Sequence, residues 1–361
     1  MKITDITVES YSWPRQRPIR NGKYTYTTAG LSVTRVHSDA GPEGLGYSLV
    51  FGGAGSEAVE AYARRLGELL IGEDPLLVGR LWDKMYRADR GIRRVGIAGY
   101  ALSALDIALW DLAGKTANLP LAKLWGATTD RVDAYGSGGW GSYSIDDLIG
   151  EGLRYKAAGC RYYKMKVHSP DPRVNRQRVE AVRKALGDGV QMMVDVNQKL
   201  DVPGAIRQAE LLEDFDLVWY EEPALADDIA ACAEVARAIR IPVATGENNY
   251  TRYEFRELIE RRAARYLMPD VCRANGFTET MRIGQLAAAH QIKVSPHVVH
   301  ELSLHVAAAL PNAFLVEWID WVPADLFEGM PKCEDGAFRI SDRPGHGIAL
   351  RPDAEKKYRL S

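Results

Sequence analysis

The stretch that decides the fold lies between residues 162 and 247, where short apolar runs recur and each ends at or beside a charged residue. The runs read YYKMKV at 162–167, MMVD at 192–195, VWYE at 218–221 and PVATGE at 242–247. Amphipathic segments at 174–186 and 205–212 separate them, and Pro203 stands where the first turn of a helix tolerates proline. Apolar runs that alternate with amphipathic segments predict strand–helix repeats and a parallel sheet.

The repeat extends to both sides of this stretch. An earlier run, VDAY, lies at 132–135, and three later runs finish at Asp270, His297 and Glu317. Eight runs that alternate with helices favour an α/β modified TIM barrel, (β/α)7β, over an open sheet. Catalytic side chains in such barrels come from the C-terminal ends of different strands. The polar residues that end these runs are therefore candidates for an active site.

The sequence predicts three parts. Residues 1–130 contain an alternating N-terminal strand pair and helical segments near 56–70 and 99–115, which predict a separate α+β capping domain. Residues 131–320 form the predicted barrel domain. Residues 321–361 contain proline, glycine and short apolar runs without a further strand–helix unit. We expect this C-terminal segment to pack on the capping domain and complete it.

Composition limits the partners. The chain has 361 residues and a formal net charge of -2, with 46 Lys and Arg against 48 Asp and Glu. This balance provides no basic surface for nucleic acid or an acidic membrane, so the expected partner is a small molecule. The four cysteines form no CxxC pair, which predicts buried thiols in a reducing compartment. The N-terminus has no apolar leader segment, and we expect a cytoplasmic protein that forms a homo-oligomer.

Three carboxylates, Asp195, Glu221 and Glu247, end successive apolar runs at equal intervals along the chain. Equal spacing places them on neighbouring strand ends, where they would repel one another unless a cation lay among them. A ligand set of oxygen atoms alone suits a hard ion, and Mg²⁺ keeps open positions for water or substrate. The sequence therefore predicts one Mg²⁺ per subunit. The competing interpretation is that these residues only cap the helices that follow.

Lys164 and Lys166 lie two residues apart in one run, so a strand directs both side chains to the same face. In a barrel covered by helices we expect that face to be the interior, although most lysines are on protein surfaces. Two ammonium groups in one cavity disfavour each other's charge. We therefore expect Lys166 to titrate near neutral pH and act as a base, and Lys164 to stay charged and hold an anion.

Three further polar residues end the later runs. Asp270 and His297 end the predicted sixth and seventh strands and are candidates for a dyad, in which the carboxylate fixes the tautomer of the imidazole and raises its basicity. Glu317 ends the eighth strand and is a candidate proton donor to an enolate oxygen if burial keeps it protonated. With Lys166 and His297 on two faces of a substrate, racemisation and elimination are both open to the site.

The motifs are KMK at 164–166, DVNQ from Asp195, YEEP around Glu221, TGEN around Glu247, MPD ending at Asp270 and SPH ending at His297. Together they resemble the mandelate racemase subgroup of the enolase superfamily, over nearly the whole chain. The resemblance implies an α+β cap on a (β/α)7β barrel, Mg²⁺, and the roles given above for each residue. It also implies substrate contacts from Asn197 and Lys164. The lactonising branch is similar in fold but has a lysine at the position of Asp270, which argues against it.

Removal of the proton beside a carboxylate creates negative charge that the metal, Lys164 and Glu317 would stabilise. Loss of a 3-hydroxyl then gives a 2-keto-3-deoxy acid, whereas reprotonation on the other face gives racemisation or epimerisation of a 2-hydroxy acid. The cap segment 15–28 is rich in hydrogen-bonding groups, which favours dehydration of a sugar acid. Its candidate substrate contacts are Arg20, Lys23 and Tyr24. A non-catalytic protein that binds acid sugars is the remaining alternative, against which the intact set of functional residues argues.

Overall fold

The computed structural model describes residues 1–22, 24–53, 55–92 and 94–360. The N-terminal part consists of strands β1 Ile3–Asn21, β2 Tyr24–Ser38 and β3 Glu43–Phe51 and helices α1 Ser56–Glu68, α2 Val78–Arg87, α3 Ile97–Thr116 and α4 Leu121–Leu124. The strands form an antiparallel sheet in the order β1-β2-β3. The sequence predicts only a strand pair here, and β3 is added because it pairs with β2 along its whole length and is buried against α3.

Helix α3 is the core of the N-terminal part. Its sequence is apolar on nearly all sides, which is typical of a fully buried helix. By length and composition alone α3 could cross a membrane, but 83% of its apolar window is buried inside the protein. Gly44 and Gly46 of β3 allow the close packing, because a Cβ atom at either position would clash with backbone carbonyls of α3.

Eight short parallel strands follow in the chain. They are β4 Arg131–Ser137, β5 Tyr162–Lys166, β6 Gln191–Asp195, β7 Tyr220–Glu221, β8 Val243–Thr245, β9 Tyr266–Leu267, β10 Lys293–Val294 and β11 Val316–Trp318. They pair in the order β10-β9-β8-β7-β6-β5-β4-β11. In addition, the N–H of Phe314, just before β11, donates to the carbonyl of Val294 in β10 across 2.8 Å. The predicted α/β fold around a parallel sheet is confirmed.

Helices connect these strands. They are α5 Ile145–Ala157, α6 Pro172–Leu186, α7 Val202–Glu210, α8 Ile229–Ala238, α9 Arg252–Glu260, α10 Gly276–Ala289 and α11 His300–Ala309, with a 3₁₀ turn at Glu213–Phe215. Pro203 lies in the first turn of α7, as predicted. Asp171, Asp201 and Asp228 precede α6, α7 and α8, and each accepts a backbone N–H from the first turn of its helix. These aspartates supply the caps that the helices need.

The strands are shorter than the apolar runs predict. Asp270 and His297 lie in the loops after β9 and β10, not at the strand ends. Each directly follows a proline, Pro269 or Pro296, which has no N–H for a neighbouring strand and so limits the pairing. Glu247 likewise lies just beyond β8. The predicted site residues therefore emerge at or shortly after the C-terminal ends of the strands.

The C-terminal segment contains β12 Phe327–Glu328, β13 Cys333–Glu334, β14 Ala337–Arg339, β15 Ala349–Leu350 and α12 Pro352–Tyr358. Its end packs on β1, since the ring of Tyr358 lies 6.0 Å from that of Trp13 and the N–H of Leu360 donates to Ser10 across 2.8 Å. The hairpin β13–β14 instead pairs with the start of β4, antiparallel to it. The tail thus contacts the parallel sheet as well as the N-terminal part, which the sequence does not indicate.

Candidate active site

Asp195, Glu221 and Glu247 meet at one point. They come from the ends of β6 and β7 and from just after β8, and all three are buried. One carboxylate oxygen from each lies within 4.8 Å of the others. The predicted convergence is confirmed. The competing interpretation as helix caps fails, because the N-caps of the helices that follow β6, β7 and β8 are Asp201, Asp228 and Thr251.

The carboxylate trio fits a hard divalent cation. Its ligand atoms are oxygens only, and Oε2 of Glu247 is buried without a hydrogen-bond donor. Burial and repulsion from Asp195 raise the pKa of Glu221 well above its usual range. Buried carboxylates that repel one another in this way are stabilised when a positive ion is shared among them. The set matches the predicted Mg²⁺ site.

Lys164 and Lys166 both point into the protein interior, as the period of a strand predicts. Nζ of Lys164 lies 2.7 Å from Oε1 of Glu221 and 2.9 Å from Oε1 of Glu317, while Lys166 is hydrogen-bonded to Asp195. Burial by itself lowers the pKa of Lys166, but attraction to Asp195, Glu221 and Glu247 together outweighs it, and the pKa is raised. The expectation that Lys164 lowers this pKa towards neutrality is therefore wrong for this state, because the carboxylates outweigh the second ammonium.

Asp270 and His297 form the predicted dyad. Nδ1 of His297 lies 2.8 Å from Oδ2 of Asp270, and Oδ1 of the same carboxylate accepts the N–H of Cys272 at 2.8 Å. A carboxylate at Nδ1 favours the tautomer with its proton on Nδ1. Nε2 then faces the trio, where it lies 3.1 Å from Oε2 of Glu247. This nitrogen is placed for proton transfer at the metal side of the site.

The groups around Glu317 favour its ionised form, contrary to the expectation that burial keeps it protonated. Burial raises its pKa, but the ammonium of Lys164, the imidazole of His297 and a hydrogen bond from Ser137 outweigh that effect and hold the pKa well below its usual range. Its second oxygen accepts the N–H of Val298 at 2.9 Å. Because several donors contact this carboxylate, it accepts hydrogen bonds and holds Lys164 in place. It is not a proton donor in this state.

The predicted substrate contacts are partly brought to the site. Tyr24 lines the cavity beside the trio, and its side chain is 66% exposed. The side chain of Arg20 is exposed away from the lining, and its carbonyl lies 3.3 Å from Nε2 of His168. Lys23 lies outside the described residues. Asn197 lies at the site, where its Nδ2 donates to Asp195 across 2.9 Å and its Oδ1 is buried without a partner.

An aromatic roof covers the two candidate bases, and the sequence analysis does not find it. It consists of Phe51, Trp140 and Trp321: Phe51 stacks on Trp321 at 4.3 Å and lies 6.1 Å from the ring of His297. Trp140 lies 5.7 Å from Trp321, and Nζ of Lys166 is 5.5 Å from its ring. These residues come from the cap, the sheet loops and the tail, and no local pattern links them. The roof shields the bases from water.

Arg273 also lies at the site, and no sequence motif indicates it. It is 3% exposed, and its Nη1 donates to the carbonyl of Glu247 at 3.0 Å and to Oδ1 of Asn248 at 3.1 Å. Its Nε lies 3.4 Å from Asp270. The guanidinium therefore contacts both the loop that carries Glu247 and the Asp270–His297 dyad. The signal in the sequence is Arg273 itself, which is the single charged residue between positions 271 and 278.

A cavity of about 670 Å³ opens from the trio between the cap and the sheet loops. Glu247 of the trio and Asn197, which contacts Asp195, line it, as do Asn21, Tyr26 and Asn249. We call the lining other than Glu247 and Asn197 the outer wall. Its size is that of a pocket for a small organic ligand. The cavity thus extends from Glu247 of the trio to polar side chains. A substrate bound at the trio could place the rest of its chain against them.

Comparisons with known proteins agree with this geometry. Residues 3–126 match the family described as mandelate racemase / muconate lactonizing enzyme, N-terminal domain, and residues 149–354 match the family described as enolase C-terminal domain-like. The chain is 36% identical to L-talarate/galactarate dehydratase of Salmonella typhimurium, over 96% of this chain and 85% of that protein. It is also 36% identical to 3,6-anhydro-alpha-L-galactonate cycloisomerase of Streptomyces coelicolor, over 92% of this chain and 91% of that protein.

The fold is shared with solved structures. A racemase from Streptomyces coelicolor, solved with bound magnesium, superposes with a TM-score of 0.95 at 32% sequence identity and covers 99% of this chain and 100% of its own. Two family matches that together span most of the chain, and relatives of this identity, agree with the carboxylate trio, the paired lysines and the Asp–His dyad. The chain belongs to the mandelate racemase and muconate lactonizing enzyme family of the enolase superfamily.

Proposed function

We propose that this protein is a magnesium-dependent dehydratase that converts a sugar acid into a 2-keto-3-deoxy acid. The observation that carries the proposal is the position of two proton-transfer groups at the two ends of the carboxylate trio. Lys166 contacts Asp195, and Nε2 of His297 lies 3.1 Å from Glu247. A substrate held over the trio would have a base beside its α-carbon and an acid beside its leaving group, as elimination requires.

Each residue has a defined task in this proposal. The substrate carboxylate binds at the trio, with the ammonium of Lys164 and the side chain of Asn197 as direct contacts. Mg²⁺ on Asp195, Glu221 and Glu247 would supply Lewis-acid stabilisation of the charge that forms when the α-proton leaves. Glu317 holds Lys164 charged and in place, at 2.9 Å. Asp270 orients His297 for proton transfer.

Groups within the site can account for both proton transfers of the elimination. One of Lys166 and His297, whichever lies on the side of the α-hydrogen, takes that proton, and the C–H electron pair forms the enolate. The C3–O bond then breaks as the other group donates a proton to the leaving hydroxyl, which departs as water. The enol that remains becomes the 2-keto-3-deoxy acid when C3 is protonated.

The polar cavity favours a sugar acid over an apolar hydroxy acid. The amide oxygens of Asn21, Asn197 and Asn249 are buried without a hydrogen-bond partner, and all three residues line the cavity. Such atoms are costly beside an apolar ring and are satisfied by hydroxyl groups. The dehydratase relative from Salmonella typhimurium supports this choice. The racemase from Streptomyces coelicolor makes racemisation or epimerisation the second candidate.

The proposal extends to the whole chain. It places the chemistry in a closed (β/α)7β barrel domain, residues 131–320, under a cap of residues 1–130 that residues 321–361 complete. It also takes the enzyme to be a cytoplasmic homo-oligomer with one Mg²⁺ per subunit. The hydrogen bond from Phe314 to Val294 and the packing of Tyr358 on Trp13 support the closure and the completed cap.

A library of mono- and diacid sugars, incubated with the Mg²⁺-loaded protein in deuterated water, tests the function. Formation of a 2-keto acid from at least one member is the expected result. Deuterium at the α-carbon without keto acid identifies the racemase or epimerase. Conversion of an anhydro acid without loss of water identifies a cycloisomerase. Binding without exchange or product identifies a non-catalytic acid-sugar-binding protein.

A further inference from the structure

The cavity lining carries three unpartnered amide acceptors, from Asn21, Asn197 and Asn249. Nδ2 of Asn249 donates to the carbonyl of Ala226 at 3.4 Å, and Nδ2 of Asn197 donates to Asp195 at 2.9 Å. The side chain of Asn21 interacts with the hydroxyl of Tyr26. In each of the three amides the oxygen is buried and has no donor. The groups that a ligand must satisfy are therefore acceptors, which pair with hydroxyl groups and not with a carboxylate.

The charges on the same wall are mainly negative. Asp227, Glu254 and Glu257 line the outer cavity. The carboxylate of Glu254 accepts the N–H groups of Tyr250 and Thr251 at 2.7 and 2.9 Å, which fixes its position at the start of α9. An anionic end group placed beside these carboxylates would be repelled by them.

Among the described residues, the one cationic side chain that lines the cavity is already engaged. Arg273 is 3% exposed and donates from Nη1 to the carbonyl of Glu247 and to Asn248, and its guanidinium lies 4.7 Å above the ring of Phe51. Recognition of a carboxylate usually needs a guanidinium fork or an ammonium that is free to face it. In the described lining, no such group faces the outer cavity.

We propose that the outer cavity is a subsite for the neutral, hydroxylated end of a monocarboxylic sugar acid, an aldonate, and that it rejects the second carboxylate of an aldarate. This inference rests on the proposed function, because it takes the first carboxylate to bind at the trio. It follows from the unpartnered acceptors of Asn21 and Asn249 and from the acidic wall formed by Asp227, Glu254 and Glu257.

The test compares matched pairs, each an aldonate and the aldarate of the same chain length and configuration. With Mg²⁺ present, kcat/KM for keto-acid formation is expected to be at least ten times higher for the aldonate of the preferred pair. An aldarate turned over equally well or faster overturns the subsite while leaving the dehydratase intact. If no acid sugar gives keto acid, the dehydratase fails. Calorimetric binding of the same pairs to the Mg²⁺-loaded protein then decides the subsite, with tighter aldonate binding expected and equal or tighter aldarate binding contrary to it.

A charge reversal tests the wall itself. Glu257→Lys is expected to raise the ratio of aldarate to aldonate affinity by about tenfold, because it places an ammonium on the outer wall. Glu260→Lys is the matched control, since both glutamates lie on α9 and pair with an arginine four residues away, but Glu260 is outside the cavity lining. An unchanged ratio in Glu257→Lys, or an equal change in both variants, contradicts the proposal.

Discussion

Lys166 and His297 occupy different positions around the carboxylate trio, and this difference makes their roles separable. Lys166 is hydrogen-bonded to Asp195 and lies 5.5 Å from the ring of Trp140, whereas His297 lies between Asp270 and Glu247. Exchange of the α-hydrogen requires only the base, but loss of the hydroxyl requires the acid as well. A substitution that removes one group therefore has a different signature from one that removes the other.

Lys166→Ala and His297→Asn are each expected to lower dehydration by about 10²- to 10⁴-fold, the usual contribution of a general acid or base. Keto-acid formation and α-deuterium incorporation should be followed together. The variant without the acid is expected to retain exchange, and the variant without the base to lose both signals. Lys184→Ala and His290→Asn, at exposed positions, serve as controls and should remain active. Full activity in either test variant would remove that residue from the mechanism.

Which side chains meet at the site could be predicted from the sequence, but their protonation could not. Alternation along β5 directs both lysines inward, and equal spacing brings the trio together, because both are local consequences of strand geometry. The pKa of Glu317 depends on Lys164, His297 and Ser137, which come from three other segments of the chain. The direction of the pKa shift of Glu317 can therefore be inferred only from the folded structure, where those segments are in contact. The same holds for Lys166, whose charge is stabilised by Asp195.

At the scale of elements, the approach of α3 to β3 requires glycine. A Cβ atom at position 46 would clash with the carbonyl of Ala104, and one at position 44 with that of Ala108. Gly46→Ala is expected to destabilise the protein by about 1–3 kcal/mol, since the buried helix would have to move. Gly79→Ala in α2 is the control, because a Cβ there meets no atom within 4 Å, and it should stabilise by about 0.5–1 kcal/mol. Equal thermal midpoints for the two variants would contradict this account of the packing.

Helix α3 is also joined to α10 through a buried carboxylate. Asp106 accepts the N–H of Thr278 at 2.8 Å and its hydroxyl at 2.6 Å, yet burial raises the pKa of Asp106 to about 7 from an ordinary value of 3.8. The folded protein thus holds this proton more tightly than the unfolded chain. The stability that it contributes is complete below the unfolded pKa and is lost as pH rises towards the folded pKa.

This linkage predicts the behaviour of Asp106→Asn, which mimics the protonated form. As pH rises from 5 to 8, the wild type is expected to lose stability relative to the variant by up to a few kcal/mol, since each pKa unit corresponds to about 1.4 kcal/mol. Thermal midpoints measured at several pH values and one scan rate provide the comparison. Asp188→Asn, at an exposed position, should follow the wild type. If the thermal midpoints of the wild type and Asp106→Asn changed with pH in parallel, burial would not perturb the pKa of Asp106.

Element positions were more predictable than element pairings. The strand–helix rhythm locates each strand and the helices α6 and α7 within a few residues, because periodicity is a local property. The ends of β9 and β10 do have a local signal, Pro269 and Pro296, past which the predicted apolar runs extend too far. The hairpin β13–β14, which pairs with β4 across a long separation in sequence, has none. Such pairings depend on the surfaces that become neighbours after folding.

At the scale of the whole molecule, the trio gathers like charges from three neighbouring strands at the centre of the fold. Asp195 and Glu221 are 0% exposed and Glu247 is 6% exposed, and Lys164 and Lys166 partly compensate them. A group of buried charges that is only partly neutralised opposes folding. A cation that binds this group in the folded protein but not in the unfolded chain must therefore stabilise the fold through mass action.

Magnesium is accordingly expected to raise the thermal unfolding midpoint, and a chelator to lower it. At a Mg²⁺ concentration of about 100 times Kd, the gain is about 2.7 kcal/mol. Asp195→Asn should abolish the dependence on Mg²⁺, because it removes a ligand that β6 supplies to the trio. Asp228→Asn, a carboxylate that caps α8, should keep it, since asparagine also caps helices. An equal rise in Asp195→Asn and the wild type would place the stabilising ion elsewhere, and the magnesium site would then have to be assigned to other residues.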